Sequence, residues 1–351
     1  MSDCCPAGFR RWFLCLALLL LTSAIRTQTA AADGAAAWFP DSQRLLYIVN
    51  PGKEATLLEY DLRSGAARKI GSDPILHPTS IAIGHDGKHL AVVISPDPAS
   101  IRSDVYLMDA DGSHLRKLLS VPNLVLGLVF NSSGDSLILV EARVFTNYSP
   151  IVSRHPHEMD LAYLPLDSGV QHWLTDEHAY QMSDPVIDPS DGGIVVKKPG
   201  PVKDPNGGAP ADALIKFKWN GPGLVDPQEL RPDLSSYLEH TEWVEKYRNF
   251  YPWKDIYSPS FDGQGRLYFT WPTTNPKSGY YDYEVYRWDP KTGHTERLTD
   301  LHTLIDSLSP SPDGKWLALS IEKSSIFGQA YLTPYLYSIE NRELRSLPER
   351  E

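Results

Sequence analysis

One local pattern returns six times along this chain and limits what it can become. "SPSPDGKWLALS", from Ser309 to Ser320, joins a tight turn to a short apolar run. Pro312 presets φ near −65°, Asp313 tolerates turn geometry, and Gly314 supplies the residue with φ > 0. Related turns stand at Pro40-Asp41-Ser42, His85-Asp86-Gly87, Ser132-Ser133-Gly134, Ser190-Asp191-Gly192 and Gly263-Gln264-Gly265. Each precedes an apolar run of strand type: Leu45 to Val49, Leu90 to Ile94, Leu137 to Val140, Ile194 to Val196 and Leu267 to Trp271.

A second signature follows each copy, an alternating strand, a turn and another short strand. "LLEYDLRSGAARKI", "VYLMDADGSHLRKL" and "EVYRWDPKTGHTERL" show it clearly. Four short strands per unit, repeated at blade-like spacing, predict an all-β chain with the architecture of a six-bladed β-propeller of four-stranded antiparallel blades. One such sheet cannot bury both faces by itself, whereas six packed face to face can, and closing the ring protects their edges. The first innermost strand is expected over Ala35 to Trp38 and the last outer strand near the C-terminal end. Every blade should therefore be contiguous in sequence, with no strand exchanged between the ends.

The "SPDGK" element ahead of an apolar strand, together with "YRWDPKTGHTERLTD", resembles the TolB-type propeller repeat, a PD40 or WD40-like unit. The resemblance spans Ala35 to Glu351 and is weakest in blades one, three and four. It implies a propeller fold and a general role in binding. TolB-type proteins carry an α/β domain ahead of the propeller, and no stretch here matches one.

Residues 1–32 read differently from the rest. Arg10 and Arg11 precede an apolar stretch from Trp12 to Leu21, and Ala30-Ala31-Ala32 supplies small residues before Asp33. This is the order of a signal peptide, so residues 33–351 are expected to form a single propeller domain, exported to the periplasm or the extracellular space. The Arg10-Arg11 pair is similar to a twin-arginine export signal, and the general secretory route is equally open; left uncleaved, the segment would serve as an N-terminal membrane anchor. All three cysteines, Cys4, Cys5 and Cys15, fall inside it. A net charge of −11 without basic blocks argues against nucleic acid and anionic membrane surfaces as partners.

The long segments 143–160, 197–212, 272–283 and 323–334 all join second to third strands, and 233–255 joins blade four to blade five. In a propeller these connections share one face, the expected binding face. The stretch from Asp233 to Asp255 is expected to form a short helix, with Trp243 and Tyr247 among its aromatic residues. Tyr281 belongs to the neighbouring insertion. His77, His178 and His302 each precede an innermost strand and are expected around the central channel, with Asp184, Asp306 and Asp255 close by. His155 and His157 are the weak candidates for a metal site, with a divalent metal the cofactor they would imply. Asn131-Ser132-Ser133 and Asn147-Tyr148-Ser149 match glycosylation acceptors. No nucleophile elbow, phosphate loop or zinc-protease signature is present.

Two functions remain open at this stage. The first is a non-enzymatic exported scaffold binding a cell-envelope or extracellular protein, a peptide or a glycan. The second is a hydrolase or lyase acting on a carbohydrate or small ester at the channel mouth, by a metal or an acid–base pair.

Overall fold

The protein is described by a computed structural model over residues 36–49, 55–71, 78–95, 102–146, 155–203, 210–221, 223–237, 256–274, 281–324 and 330–349. Residues 1–35, with the expected signal peptide, lie outside the described residues.

Blade one holds β1 (Ala36–Trp38), β2 (Arg44–Val49), β3 (Thr56–Asp61) and β4 (Ala67–Lys69). Blade two holds β5 (Pro78–Ile83), β6 (His89–Ile94), β7 (Ser103–Asp109) and β8 (Arg116–Val121). Blade three follows with β9 (Leu124–Phe130), β10 (Ser136–Thr146), β11 (His155–Pro165) and β12 (His172–Trp173). Blade four has β13 (Val186–Asp188), β14 (Gly193–Lys203), β15 (Pro210–Trp219) and β16 (Leu224–Leu230). Blade five has β17 (Tyr257–Phe261), β18 (Leu267–Thr274), β19 (Tyr281–Trp288) and β20 (Thr295–Arg297). Blade six closes the set with β21 (Ile305–Pro310), β22 (Trp316–Ser324), β23 (Ala330–Ser338) and β24 (Glu343–Ser346). Every sheet pairs its four strands in sequence order, all antiparallel, so the six blades are contiguous as expected.

The repeated turn behaves as its residues dictate. Gly314 takes φ +69°, and the Ser311 hydroxyl accepts from Trp316 N at 3.0 Å while the Ser311 backbone N–H donates to the Trp316 carbonyl at 2.9 Å. The hairpin is thereby locked before the apolar strand begins.

The core is divided among the blade interfaces. Phe39, Leu46 and Ile48 of blade one meet Leu90, Val92 and Met108 of blade two. Blades four and five share Val195, Leu214, Phe269, Trp271 and Tyr286, and four further clusters fill the other interfaces. Burying each large apolar side chain contributes about 1.5–3 kcal/mol, so no blade keeps this stabilisation without both neighbours.

Closure uses packing and hydrogen bonds. Trp38, Leu45 and Tyr47 pack on Ala318, Leu336 and Leu347. Trp38 Nε1 donates to the Ser309 carbonyl at 3.0 Å, and Tyr47 donates its hydroxyl to the Pro348 carbonyl at 2.6 Å. Asp313 N donates to Ser42 Oγ at 3.0 Å, between the turns that end β21 and β1.

Two expectations need correction. The long second-to-third connections are largely paired strand: β10 and β11 stay in register out to Thr146↔His155, β18 and β19 to Thr274↔Tyr281, and β22 and β23 to Ser324↔Ala330, while β14 and β15 pair out to Lys203↔Pro210 across a register shift between Pro199 and Lys203. Backbone groups that a loop would leave to water are satisfied across these hairpins. Of the stretch 233–255 expected to form a helix, the described residues hold one 3-10 turn, Ser235–Tyr237, and 238–255 lie outside them. Asn131 also differs from a glycan acceptor. It is buried, its amide donates to Ser133 Oγ and Asp135 Oδ1 at 2.9 and 2.8 Å, and its carbonyl oxygen accepts from Asp135 N and Ser136 N. Asn147 lies outside the described residues.

Candidate functional site at the channel mouth

The innermost strands β1, β5, β9, β13, β17 and β21 surround a central channel of about 900 Å³. They all begin at the end where the long hairpins project and run towards the tight turns. Residues at the start of these strands therefore form one mouth.

Four of the six strands are irregular there. An extra residue interrupts the register of β5 between Pro78 and Ser80, of β9 between Val125 and Gly127, of β17 between Tyr257 and Ser260, and of β21 between Ile305 and Ser307. A β-bulge re-aims side chains and ends regular pairing. Here it places Thr79, Leu126 and Asp306 as the unpaired residues of their strands. Ser258, inside the β17 irregularity, adopts φ +49° and donates its hydroxyl to the Asp306 carbonyl at 2.8 Å.

Asp184 precedes β13 and lines the channel. Its side chain is exposed to the channel, and desolvation by the surrounding protein pushes its pKa up to about 6. It lies so close to β9 that a Cβ on Gly127 would overlap its carboxylate. Asp306, across the mouth, is raised as well, first by burial and then by repulsion from Glu322. Neither carboxylate has a hydrogen-bond or ion-pair partner among the described residues. Lys197 is buried at the same rim, its Nζ 3.6 Å from the Tyr257 ring centroid and 3.8 Å from Asp212 Oδ2. Lys197, Ser258 and Thr79 were not legible as mouth residues, since nothing in their local sequence marks a bulge or a buried ammonium.

Replacing Gly127 by alanine is expected to expel the Asp184 carboxylate from its seat and to cost about 1–3 kcal/mol through overpacking. Urea denaturation gives the cost, and the chemical shift of the Asp184 carboxyl against pH reports the displacement.

The histidines are placed elsewhere. His178 and His302 do not line the channel; each is held within its own blade at φ +50°. His178 lies 3.1 Å from Asp176 and 3.5 Å from Glu158, while His302 lies 3.6 Å from both Asp282 and Asp300. The two surroundings are copies of one arrangement written by Leu174-Thr175-Asp176-Glu177-His178 and Leu298-Thr299-Asp300-Leu301-His302. In blade three, Thr175 Oγ1 bonds the buried Asp160 at 2.8 Å; in blade five, Thr299 Oγ1 bonds the buried Glu284 at 2.5 Å. Asp160, Asp176 and His178, and likewise Glu284, Asp300 and His302, bring ligand-type atoms within 4.8 Å of one another. A guanidinium already shares each group. Arg143 lies 3.0 Å from Asp160 and 3.3 Å from Asp176, and Arg297 lies 3.5 Å from Glu284 and 2.5 Å from Asp300.

His155 and His157 stand with ring centroids 5.4 Å apart on β11, and His155 meets the exposed Tyr180 edge-on at 5.4 Å. Trp173, exposed on β12, carries the Arg143 guanidinium 4.2 Å from its ring centroid. Tyr281 pairs with Thr274 at the end of a hairpin. His77, Trp243, Tyr247 and Asp255 lie outside the described residues.

Searches against family models and against curated proteins return no match. Solved structures do match. TolB from Acinetobacter baumannii superposes with a TM-score of 0.56 at 15% identity, covering 87% of this chain. The fold is a TolB-like six-bladed propeller. The chain spans 63% of that TolB's length. An oligogalacturonate lyase in complex with manganese matches with a TM-score of 0.52 at 15% identity, over 89% of this chain and 75% of that one. A nidogen/laminin complex matches with a TM-score of 0.50 at 14% identity, over 80% and 85%. At these identities the TolB-like propeller shares a fold with its neighbours, and the site must speak for itself.

Proposed function

We propose that this protein is an exported propeller scaffold that binds a protein, peptide or glycan partner on its hairpin face, around the channel mouth. The observation that carries the reading is the coincidence on one end of the ring of four extended hairpins, an open channel and four bulged inner strands. A rigid ring holding variable hairpins is how binding surfaces are built on repeat folds. The opposite end carries tight turns, such as Asp61–Gly65 and Asp289–Gly293, each closed by a backbone bond. The nidogen/laminin neighbour is a propeller found in a protein complex, which agrees with this use of the fold.

The test is capture of cell-envelope proteins and glycans on the immobilised full chain. Binding should fall at least about ten-fold when exposed Trp173 and Tyr180 are both replaced by alanine, as expected for aromatic anchors. It should survive Leu115→Ser, a change at an exposed residue on the turn face. Loss with Leu115→Ser and retention in the double variant would contradict the reading.

The second reading, a hydrolase or lyase on a carbohydrate or small ester, draws on the two carboxylate–histidine groups and on the manganese-bound lyase neighbour. It predicts stoichiometric divalent metal in the purified protein, lost on replacing His178 and His302 by alanine, and turnover of an oligosaccharide. The arginine within each group favours the first reading.

A further inference from the structure

We infer that the channel mouth is a receptor for an organic cation, the ammonium or guanidinium group of a peptide segment, held between Asp184 and Asp306. This inference rests on the binding role proposed above and narrows the partner to a basic peptide.

The geometry points to a cation in several ways. The two carboxylates enter one channel from blades four and six, and neither meets a cation or hydrogen-bond donor among the described residues. Lys197, the buried ammonium at this rim, is already shared between Asp212 and the face of Tyr257, so it leaves the mouth with unbalanced negative charge. The opposite end of the channel differs: Asp262 there is saturated by Arg266 and by the Tyr268 hydroxyl. Thr79, buried at the mouth and lining the same channel, has a hydroxyl with no hydrogen-bond partner among the described residues. Both carboxylates are exposed to the channel, so a cation entering it can reach them. The raised pKa of each reflects the protein gathered around it and, at Asp306, repulsion from Glu322.

The channel also suits a chain end or a side chain better than a bare ion. Its volume of about 900 Å³ is far larger than one hydrated metal, and its walls mix apolar residues such as Ile81, Leu126 and Val186 with the polar groups. A guanidinium or ammonium on an aliphatic stem meets both kinds of wall.

Binding of a fluorescent tri-arginine amide to the full chain, measured by anisotropy at neutral pH and moderate salt, tests the inference, with manganese alone as a second probe. Saturable one-to-one binding is expected, weakened at least about ten-fold by Asp184→Asn and by Asp306→Asn. Asp111→Asn, on the turn face, should leave it unchanged. Equal affinity in all variants would mean attraction to the acidic surface in general and would overturn the inference. So would the absence of saturable binding, or competition by manganese at equal concentration, which marks an inorganic cation site. The envelope partner supplies the distinguishing arm: a partner lost in the Trp173/Tyr180 variant but retained in both asparagine variants refutes the cation site while leaving the binding face intact.

Discussion

Replacing Glu284 by alanine should lower stability by about 3–5 kcal/mol, the range for removing one member of a buried charged network. The Glu284 side chain is fully buried in blade five. Its Oε2 accepts from Thr299 Oγ1 at 2.5 Å and from Leu301 N at 3.0 Å, and its Oε1 accepts from His302 N at 2.8 Å. One carboxylate thus satisfies two backbone donors that the chain exposes as it leaves β20 for β21, and it also faces Arg297 at 3.5 Å. Alanine would strand those donors and leave the guanidinium with Asp300 and the Thr299 carbonyl. For a chain of this size the loss corresponds to a fall in Tm of about 5–8 °C. Glu284→Gln, which keeps a single acceptor oxygen, should fall between the two. Calorimetry of the three proteins decides it. A change of under about 1 kcal/mol in the alanine variant would show that the network is ornamental to the fold.

Glu141→Gln should act in the opposite direction, and only above acidic pH. Glu141 is fully buried in β10, receives Asn123 Nδ2 at 3.2 Å, and has one oxygen without a hydrogen-bond partner among the described residues. Burial pushes its pKa up to about 7, against the smaller opposing pulls of Asn123, Gln171 and Arg143. A carboxyl whose folded pKa exceeds its unfolded value binds its proton more tightly in the native state. Its contribution is therefore complete below the unfolded value of 4.5 and is lost as pH rises to about 7. A shift of that size is worth about 3 kcal/mol. The glutamine variant carries no such proton, so the stability difference, variant minus wild type, should grow by about 1.4 kcal/mol per pH unit between pH 4.5 and 7 and then level off. Urea midpoints across that window provide the measurement. A difference independent of pH would show that Glu141 is ionised in the folded protein throughout.

Much of this architecture is legible in the sequence because its signals are local. The Pro312-Asp313-Gly314 turn and the alternation of Val285-Tyr286-Arg287-Trp288 each fix a hairpin within a dozen residues, and repetition supplies the ring. The mouth is less legible. Asp184 and Asp306 could be placed by counting back from an innermost strand, but the bulges at Thr79 and Asp306 arise from cross-strand register, which no single strand encodes. The histidines show the same limit. His178 and His302 precede innermost strands, as their positions suggested, yet the short reach of Thr175 to Asp160 and of Thr299 to Glu284 turns each connection back onto its own blade. The repeated Leu-Thr-Asp-x-His stretch was the available signal, and it encodes a buried carboxylate with its donors. Hairpin length is hard to read from sequence for a related reason: polar residues such as those of "HPHEMD" look like loop until the facing strand pairs with them.

The claim beneath all of this is that blade six closes directly on blade one. Cysteines at Ser42 and Asp313, in a chain whose Cys4, Cys5 and Cys15 are serine, probe that seam, where Ser42 Oγ lies 3.0 Å from Asp313 N. Dilute oxidation should convert nearly all the protein to an internally bridged monomer with faster gel mobility, while a Ser42/Ser190 cysteine pair should stay reduced. An unbridged Ser42/Asp313 pair, or one that only links separate molecules, would contradict the closed ring and with it the shared mouth.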